Sequence, residues 1–240
     1  MPRTTVTRRT SLLLTSATLL SRLPSASTAA TPQPASDERY TDDRQLIPAV
    51  RTALQQAVGF MTDTIAVRGG YVYQVSLDLK QRRGEGTATA TEIWVQPPGT
   101  PAVGEALLDA FVATRDPQHL QAALAAADAL IFGQLESGGW ADRVDFDPQG
   151  KNTGRYRAGR GKAKGRNYST LDDDKSQSAI RFLIRLDHQL EFKNERLHEA
   201  VSFALESLLK AQFANGGFPQ CWQQPVEPGP IVNASFPDYD

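Results

Sequence analysis

The sequence predicts a mainly α-helical protein, an incomplete α/α toroid of antiparallel helical hairpins with a small β-hairpin beside it. Three observations predict this. Apolar residues recur at helical spacing in successive segments between Pro48 and Gln212. Helix start signals stand ahead of several of these segments. The same run, Gln followed by Gly-Gly-aromatic, closes two of the hairpins: Gln134-Leu135-Glu136-Ser137-Gly138-Gly139-Trp140 and Gln212-Phe213-Ala214-Asn215-Gly216-Gly217-Phe218.

Composition sets the frame. Apolar residues are 40% and charged residues 22%, which suits a soluble globular chain. The net charge of −1 excludes binding to polyanions by bulk charge, so any ionic partner must meet a local patch. Cys221 is the one cysteine. It can form no internal disulfide, has no metal-ligand spacing around it, and reads as a packed or idle thiol.

The amino terminus reads as targeting, not fold. Arg8-Arg9 precedes Leu12-Leu13-Leu14, a short apolar run, and then Ser25-Ala26-Ser27-Thr28-Ala29-Ala30. Basic, apolar and small-residue zones in that order make residues 1–30 a signal peptide. The arginine pair resembles a twin-arginine signal; the plainer alternative is the basic region of a general secretory signal. Residues 31–46, rich in Pro, Ser, Thr and charge, read as a linker. The expected domain is 47–240, of a monomer that is secreted or periplasmic, with no membrane association after export.

The elements follow in order. Pro48 opens a helix with Val50, Leu54, Val58, Met61 and Ile65 on one face. Alternation in Tyr71-Val72-Tyr73-Gln74-Val75 suggests a strand, paired with Glu92-Ile93-Trp94-Val95. Thr100-Pro101 and Asp116-Pro117 are N-cap and first-turn proline pairs ahead of the next two helices. Thr170 and Asp173 approximate a capping box for a fourth. Asn194 caps a fifth, which runs to Gln212. In each closing run the first glycine is expected to stop the helix in a left-handed conformation, the aromatic to pack back, and the Gln amide to satisfy open backbone groups. Gly69-Gly70-Tyr71 reads as a degenerate earlier copy. A repeat of this long period signals stacked units sharing one core.

Two stretches carry candidate chemistry. Asp172-Asp173-Asp174 places three carboxylates in the expected first turn of the fourth helix. Acidic residues there complement the helix dipole, and that alone accounts for some of them. Three hard oxygen donors at a loop-to-helix junction also suit Ca²⁺. Before them, residues 151–166 carry Lys151, Arg155, Arg157, Arg160, Lys162, Lys164 and Arg166 with no acid and several glycines. The bland reading is a solvated mobile loop. The functional one is a cationic flap, with Lys162, Lys164 and Arg166 over a groove that holds a polyanion. Nucleic acid is not the expected polyanion, because only Tyr156 interrupts the basic run and no binding motif is present.

Three blocks, in order, resemble the pectate lyases of polysaccharide lyase family ten. Ser137-Gly138-Gly139-Trp140 stands where that family has Gly-Gly-Trp-Pro-Lys. "STLDDDKSQSAIRFL" at 169–183 resembles "STIDNGAT…IRFL". "LLKAQFANGGFPQ" at 208–220 is close to "LLKAQYPNGGWPQ". The chain departs from the family at Ala141-Asp142, in place of Pro-Lys, and at Asp173-Asp174-Lys175, in place of Asn-Gly-Ala.

The resemblance implies Ca²⁺-dependent β-elimination of polygalacturonate, with an arginine as base. It implies Asp172 as a Ca²⁺ ligand, Asp173 as a second, and Gly217, Phe218, Pro219 and Gln220 along the substrate cleft. The family's catalytic arginine follows the "GGFPQ" block, and the chain runs only to Asp240. The chain therefore reads as the N-terminal part of a lyase with its catalytic base unknown; Arg181 is available but nothing singles it out. The alternatives are a non-catalytic toroid that binds acidic polysaccharide and a terpene cyclase-like toroid, which shares the Gly-Gly-aromatic turns but wants a leading aspartate ahead of Asp172-Asp173-Asp174.

Overall fold

The computed structural model describes residues 43–224. The expected signal peptide, most of the expected linker, and residues 225–240 of the expected domain lie outside them. Helix α1 spans Asp43–Phe60 and passes into a π-helical turn at Met61–Ile65. It therefore takes in the end of the stretch read as linker, and Pro48 sits in its second turn instead of opening it. No described helix is long and apolar enough to cross a membrane.

The β structure differs from the expected hairpin. Gln74–Val75 (β1), Arg82–Arg83 (β2) and Thr87–Ala88 (β3) form a three-stranded antiparallel sheet. Glu92–Trp94 (β4) pairs instead with Arg143–Asp145 (β5), with Ile93 opposite Val144. The physical reason is burial. All of β4 is buried, so it belongs between layers and not at the edge of an exposed hairpin. What joins it to the Tyr71 segment is the bond from Trp94 N–H to Tyr71 O, 2.8 Å.

Thr100–Thr114 (α2) and Pro117–Gly133 (α3) pack together across a two-residue link, Arg115-Asp116. Asp116 caps α3 as its sequence predicts, accepting from Gln118 N–H at 2.9 Å. Thr100 is not the cap of α2: Gly99 holds that place. The buried Thr100 hydroxyl instead accepts from Tyr71 N–H (2.9 Å) and donates to Tyr71 O (3.2 Å). Lys175–Gln189 (α4) and Glu195–Ala211 (α5) form the second hairpin, with Asn194 Oδ1 accepting from Leu197 N–H at 3.1 Å. Helix α4 packs on α2 and α3, and α5 packs on α3. The chain is thus mainly helical. Its middle helix, α3, buries Ala122, Ala123, Ala126, Ala127 and Ala129. Small side chains there let neighbouring helices approach closely, and Leu108, Phe182, Leu183, Leu186 and Leu197 fill the space around them.

The two closing runs have one geometry. Helix α3 ends at Gly133 and α5 at Ala211, and the following Gln134 and Gln212 leave in extended conformations. Gln134 Nε2 donates to Gly138 O, and Gln212 Nε2 to Gly216 O, both at 2.9 Å. Leu135 N–H bonds Gly139 O, and Phe213 N–H bonds Gly217 O. The first glycine of each pair has positive φ, +98° at Gly138 and +87° at Gly216. Contrary to expectation, the glycines do not stop the helices; they turn the chain five residues after each helix ends. The earlier copy is real but shorter: Gly69 also has positive φ, and Val67 N–H bonds Gly70 O.

The aromatics diverge. Trp140 is fully buried and donates Nε1–H to Leu130 O at 2.8 Å, whereas Phe218 is 41% exposed. Gln134 also reaches outside its turn, to Ala200 O on α5 at 2.9 Å, and accepts from Arg157 Nε. Gln212 bonds only within its turn and is exposed. Gln134→Ala leaves buried carbonyls without donors and is expected to cost about 2 kcal/mol or more. Gln212→Ala is expected to cost about 0.5 kcal/mol. Urea unfolding of the two variants checks this, and equal losses would contradict it.

Candidate functional site

The three blocks meet at one place. Ser169–Thr170 (β6) pairs antiparallel with Cys221–Trp222 (β7), placing Ser169 opposite Trp222 and Thr170 opposite Cys221. Ser169 Oγ accepts from Gly139 N–H at 2.7 Å and shares a 2.8 Å bond with Ser137 Oγ. Ser176 Oγ accepts from Trp140 N–H at 3.0 Å. Trp222 Nε1–H donates to Ser137 O at 2.9 Å. Gly139 has to be glycine here, since a Cβ would lie 2.7 Å from Ser176 Oγ and 2.8 Å from Ser169 Oγ.

Beside this junction lies a groove of about 320 Å³. Its lining includes Glu85, Asp142, Arg166, Tyr168, Asp172, Lys175 and Gln220. The structure brings Asp172, Arg166 and Gln220 together around this one groove. Gln220 Nε2 donates to Asp172 Oδ1 at 3.0 Å, and its carbonyl accepts from Leu171 N–H at 2.8 Å. Gly217, Phe218 and Pro219 precede it in the exposed second turn and are not part of the lining.

The acidic run does not form the first turn of α4. Asp172–Asp174 is a 3₁₀ turn ahead of it, and Asp173 and Asp174 are both left-handed, at φ 48° and 59°. Asp173 caps nothing, and Thr170 lies in β6. Consecutive left-handed residues turn the three carboxylates toward different partners. Asp174 pairs with Arg181 at 2.6 Å. Asp173 accepts from Gln96 Nε2 at 3.3 Å. Asp172 and Asp173 face Lys175 Nζ, at 3.0 and 3.5 Å. Arg181, tied to Asp174 and near Glu105 at 3.9 Å, is committed to ion pairs.

That arrangement bears on the Ca²⁺ that the resemblance implies. Ca²⁺ takes six to eight oxygen ligands. Among the described residues no group of three or more His, Cys, Asp or Glu side chains is placed to hold a metal ion. The two expected ligands, Asp172 and Asp173, already share an ammonium whose side chain is only 8% exposed. As arranged, these residues do not fit Ca²⁺, and the reason is Lys175.

The basic segment is also not a loose flap. Arg155 N–H bonds Arg166 O, Arg157 N–H bonds Gln134 O, and Lys162 N–H bonds Gly154 O. Tyr156 is buried and its hydroxyl accepts from Asp145 N–H at 2.8 Å. The segment is a folded loop pinned to the first turn. Lys162 Nζ donates to the carbonyls of Gln149 (3.0 Å) and Gly150 (2.6 Å) and lies outside the groove lining. Lys164 is exposed and also outside it. Arg157 and Arg160 line a separate cavity with Phe132 and Arg196. Only Arg166 reaches the groove, where it pairs with Asp142.

Sequence reasoning missed Lys175 and Glu85. Lys175 stood in the sequence only as a departure from the family block, in place of alanine, and that replacement was the signal. Glu85 comes from the β2–β3 turn, and Gln96 ties it to the site by donating to its Oε1 at 3.0 Å. Nothing in the local sequence marks that approach. These carboxylates also act on Tyr73, whose phenol is pushed up to about 12 by burial first and then by the charges of Glu85, Asp173 and Asp142.

The Asp172 carboxyl is held below its ordinary value, first by the hydrogen bond from Lys175 and then by that from Gln220. A depressed carboxylate stabilises the fold above the unfolded-state pKa, and that contribution is lost as pH falls through the folded pKa. A carbon-13 titration of the Asp172 carboxyl is expected to show a midpoint below about 3.9, rising in Lys175→Met. A midpoint unchanged by that substitution would contradict the pairing.

The pectic acid lyase family model matches residues 134–229. No curated protein matches the chain in sequence. Among solved structures, a family 10 polysaccharide lyase from Cellvibrio cellulosa aligns with a TM-score of 0.45 and 16% identity, over 74% of this chain and 53% of that one. The chain thus spans about half the length of that lyase.

Proposed function

From a chain that is divergent but pectate lyase-like over residues 134–229, we propose a polysaccharide lyase, or part of one, that cleaves polygalacturonate or a related uronide by β-elimination. One observation supports this most: the three blocks that resemble pectate lyases meet at one junction, and two cations, Arg166 and Lys175, line the groove beside it.

The chemistry asks for a cation at the uronate carboxylate. Elimination breaks the C5–H bond, forms the C4–C5 double bond and expels the C4 oxygen. Negative charge develops on the carboxylate attached to C5, so a positive group held there lowers the barrier. Arg166 and Lys175 are set to do this, and the Gln220 amide fixes Asp172 beside them. The proton acceptor is assigned to none of the described residues. The Ca²⁺ implied by the resemblance enters no step, because Lys175 holds the two expected ligands. The charged lining does not suit a hydrocarbon, which argues against the terpene cyclase-like alternative. The same reading takes the stacked hairpins as part of an α/α toroid. It also takes the protein as an exported monomer, with residues 1–30 as the signal.

Incubating the full-length protein with polygalacturonate is expected to release unsaturated uronides, seen as rising ultraviolet absorbance, and Arg166→Ala is expected to lower the rate about tenfold or more. Depolymerisation without that absorbance, or none at all, would count against a lyase.

A further inference from the structure

The groove carries a lysine where the carboxylates of Asp172 and Asp173 converge. Lys175 is the first residue of α4, directly after the left-handed pair Asp173-Asp174. Its Nζ stands 3.0 Å from Asp172 Oδ2 and 3.5 Å from Asp173 Oδ2. The side chain is 8% exposed, yet it belongs to the groove lining. Further bonds hold both carboxylates in position around it: Gln220 donates to Asp172, and Gln96 to Asp173. An ammonium has three N–H donors. Two are directed at these aspartates, which leaves one for a carboxylate entering the groove.

We propose that Lys175 is the resident cation of this groove, binding the uronate carboxylate directly and taking the place of Ca²⁺. The substrate-binding part rests on the proposed polyuronate function; the exclusion of the metal does not. The charge argument is simple. Two carboxylates facing one cleft repel each other unless a cation lies between them. A dication can do this, and so can a buried ammonium, but both cannot occupy the same few ångströms. The ammonium is covalently tethered, so no metal concentration governs its presence. With the pair already carrying one positive charge, a Ca²⁺ entering would have to displace Nζ from two acceptors and gain only two protein oxygens in return, far fewer than it needs. The sequence agrees: Lys175 occurs at the position where the resembling family block has alanine.

Two measurements on the full-length protein test this. The first is calorimetric titration with Ca²⁺ alone, without polymer. The wild type is expected to show no binding in the millimolar range, whereas Lys175→Ala, which frees Asp172 and Asp173, is expected to gain a site at least tenfold tighter. A wild-type site abolished by Asp172→Asn would overturn the proposal. The second is polygalacturonate binding in EDTA and in Ca²⁺. Wild-type binding is expected to be the same in both, and to weaken about tenfold in EDTA for Lys175→Met, a variant of similar bulk. Thermal unfolding of both variants separates loss of fold from loss of binding. If EDTA abolishes wild-type binding and Ca²⁺ restores it, the lysine has no such role while the polyuronate reading survives. If the wild type binds no polyuronate in either condition, the substrate part fails together with the proposed function, and the Ca²⁺ titration still decides whether Lys175 excludes the metal.

Discussion

The Ser169 hydroxyl is the point through which the site is assembled. It is fully buried, it satisfies Gly139 N–H, and it bonds the Ser137 hydroxyl. A backbone N–H in that position, out of reach of water, has to find an acceptor. Supplying it from β6 fixes the first turn relative to the strand that leads into Asp172. The neighbouring Thr170 then pairs with Cys221, which sets the position of Gln220. Removing a side chain at Gly139 makes this approach sterically feasible. The carboxylates and the amide at the groove are thus positioned by hydrogen bonds that are themselves dry, and such networks hold geometry tightly when every member is satisfied.

The helical part of this protein was largely legible in its sequence, because caps and turns are local. Asp116 and Asn194 cap the helices they precede. The Gln…Gly-Gly runs fold alike because each satisfies its own backbone. What could not be read was set by distant residues. The segment 92–94 is buried on every side by groups remote in the chain, so it joins β5 and not its sequence neighbour. The basic segment looked mobile by composition, yet Tyr156 and the Gln134 carbonyl anchor it. At the groove, Asp172, Arg166 and Gln220 were found by motif and charge. The left-handed pair at Asp173-Asp174 was not, since aspartates before a helix ordinarily cap it.

Most carboxylates at the groove face a cation, while Glu85 accepts from Gln96 and two aspartates share one ammonium. Asp142 is flanked by Arg143 and Arg166, Asp174 by Arg181, and Asp172 with Asp173 by Lys175. An acidic ligand entering such a site exchanges one carboxylate for another at the same cations. Its affinity is then a difference between similar terms, and shape and hydrogen bonding decide it more than total charge. This fits a chain whose net charge is only −1. The basic run commits Arg155 to Glu136, Arg157 to Glu199 and Lys162 to backbone carbonyls, away from the groove.

The two Gln…Gly-Gly turns are alike inside and unlike in their surroundings. The first receives α5 through Ala200 O at its glutamine, and the Trp222 indole at Ser137 O. Both come from chain that follows it. The first hairpin is therefore completed by the second, as one course of brick by the next. The two still share one buried cluster, which takes in residues of α1 to α5. Order gained in a later hairpin is transmitted back to the turn beneath it. The groove lies on that seam, so its geometry reports whether two successive courses have been laid.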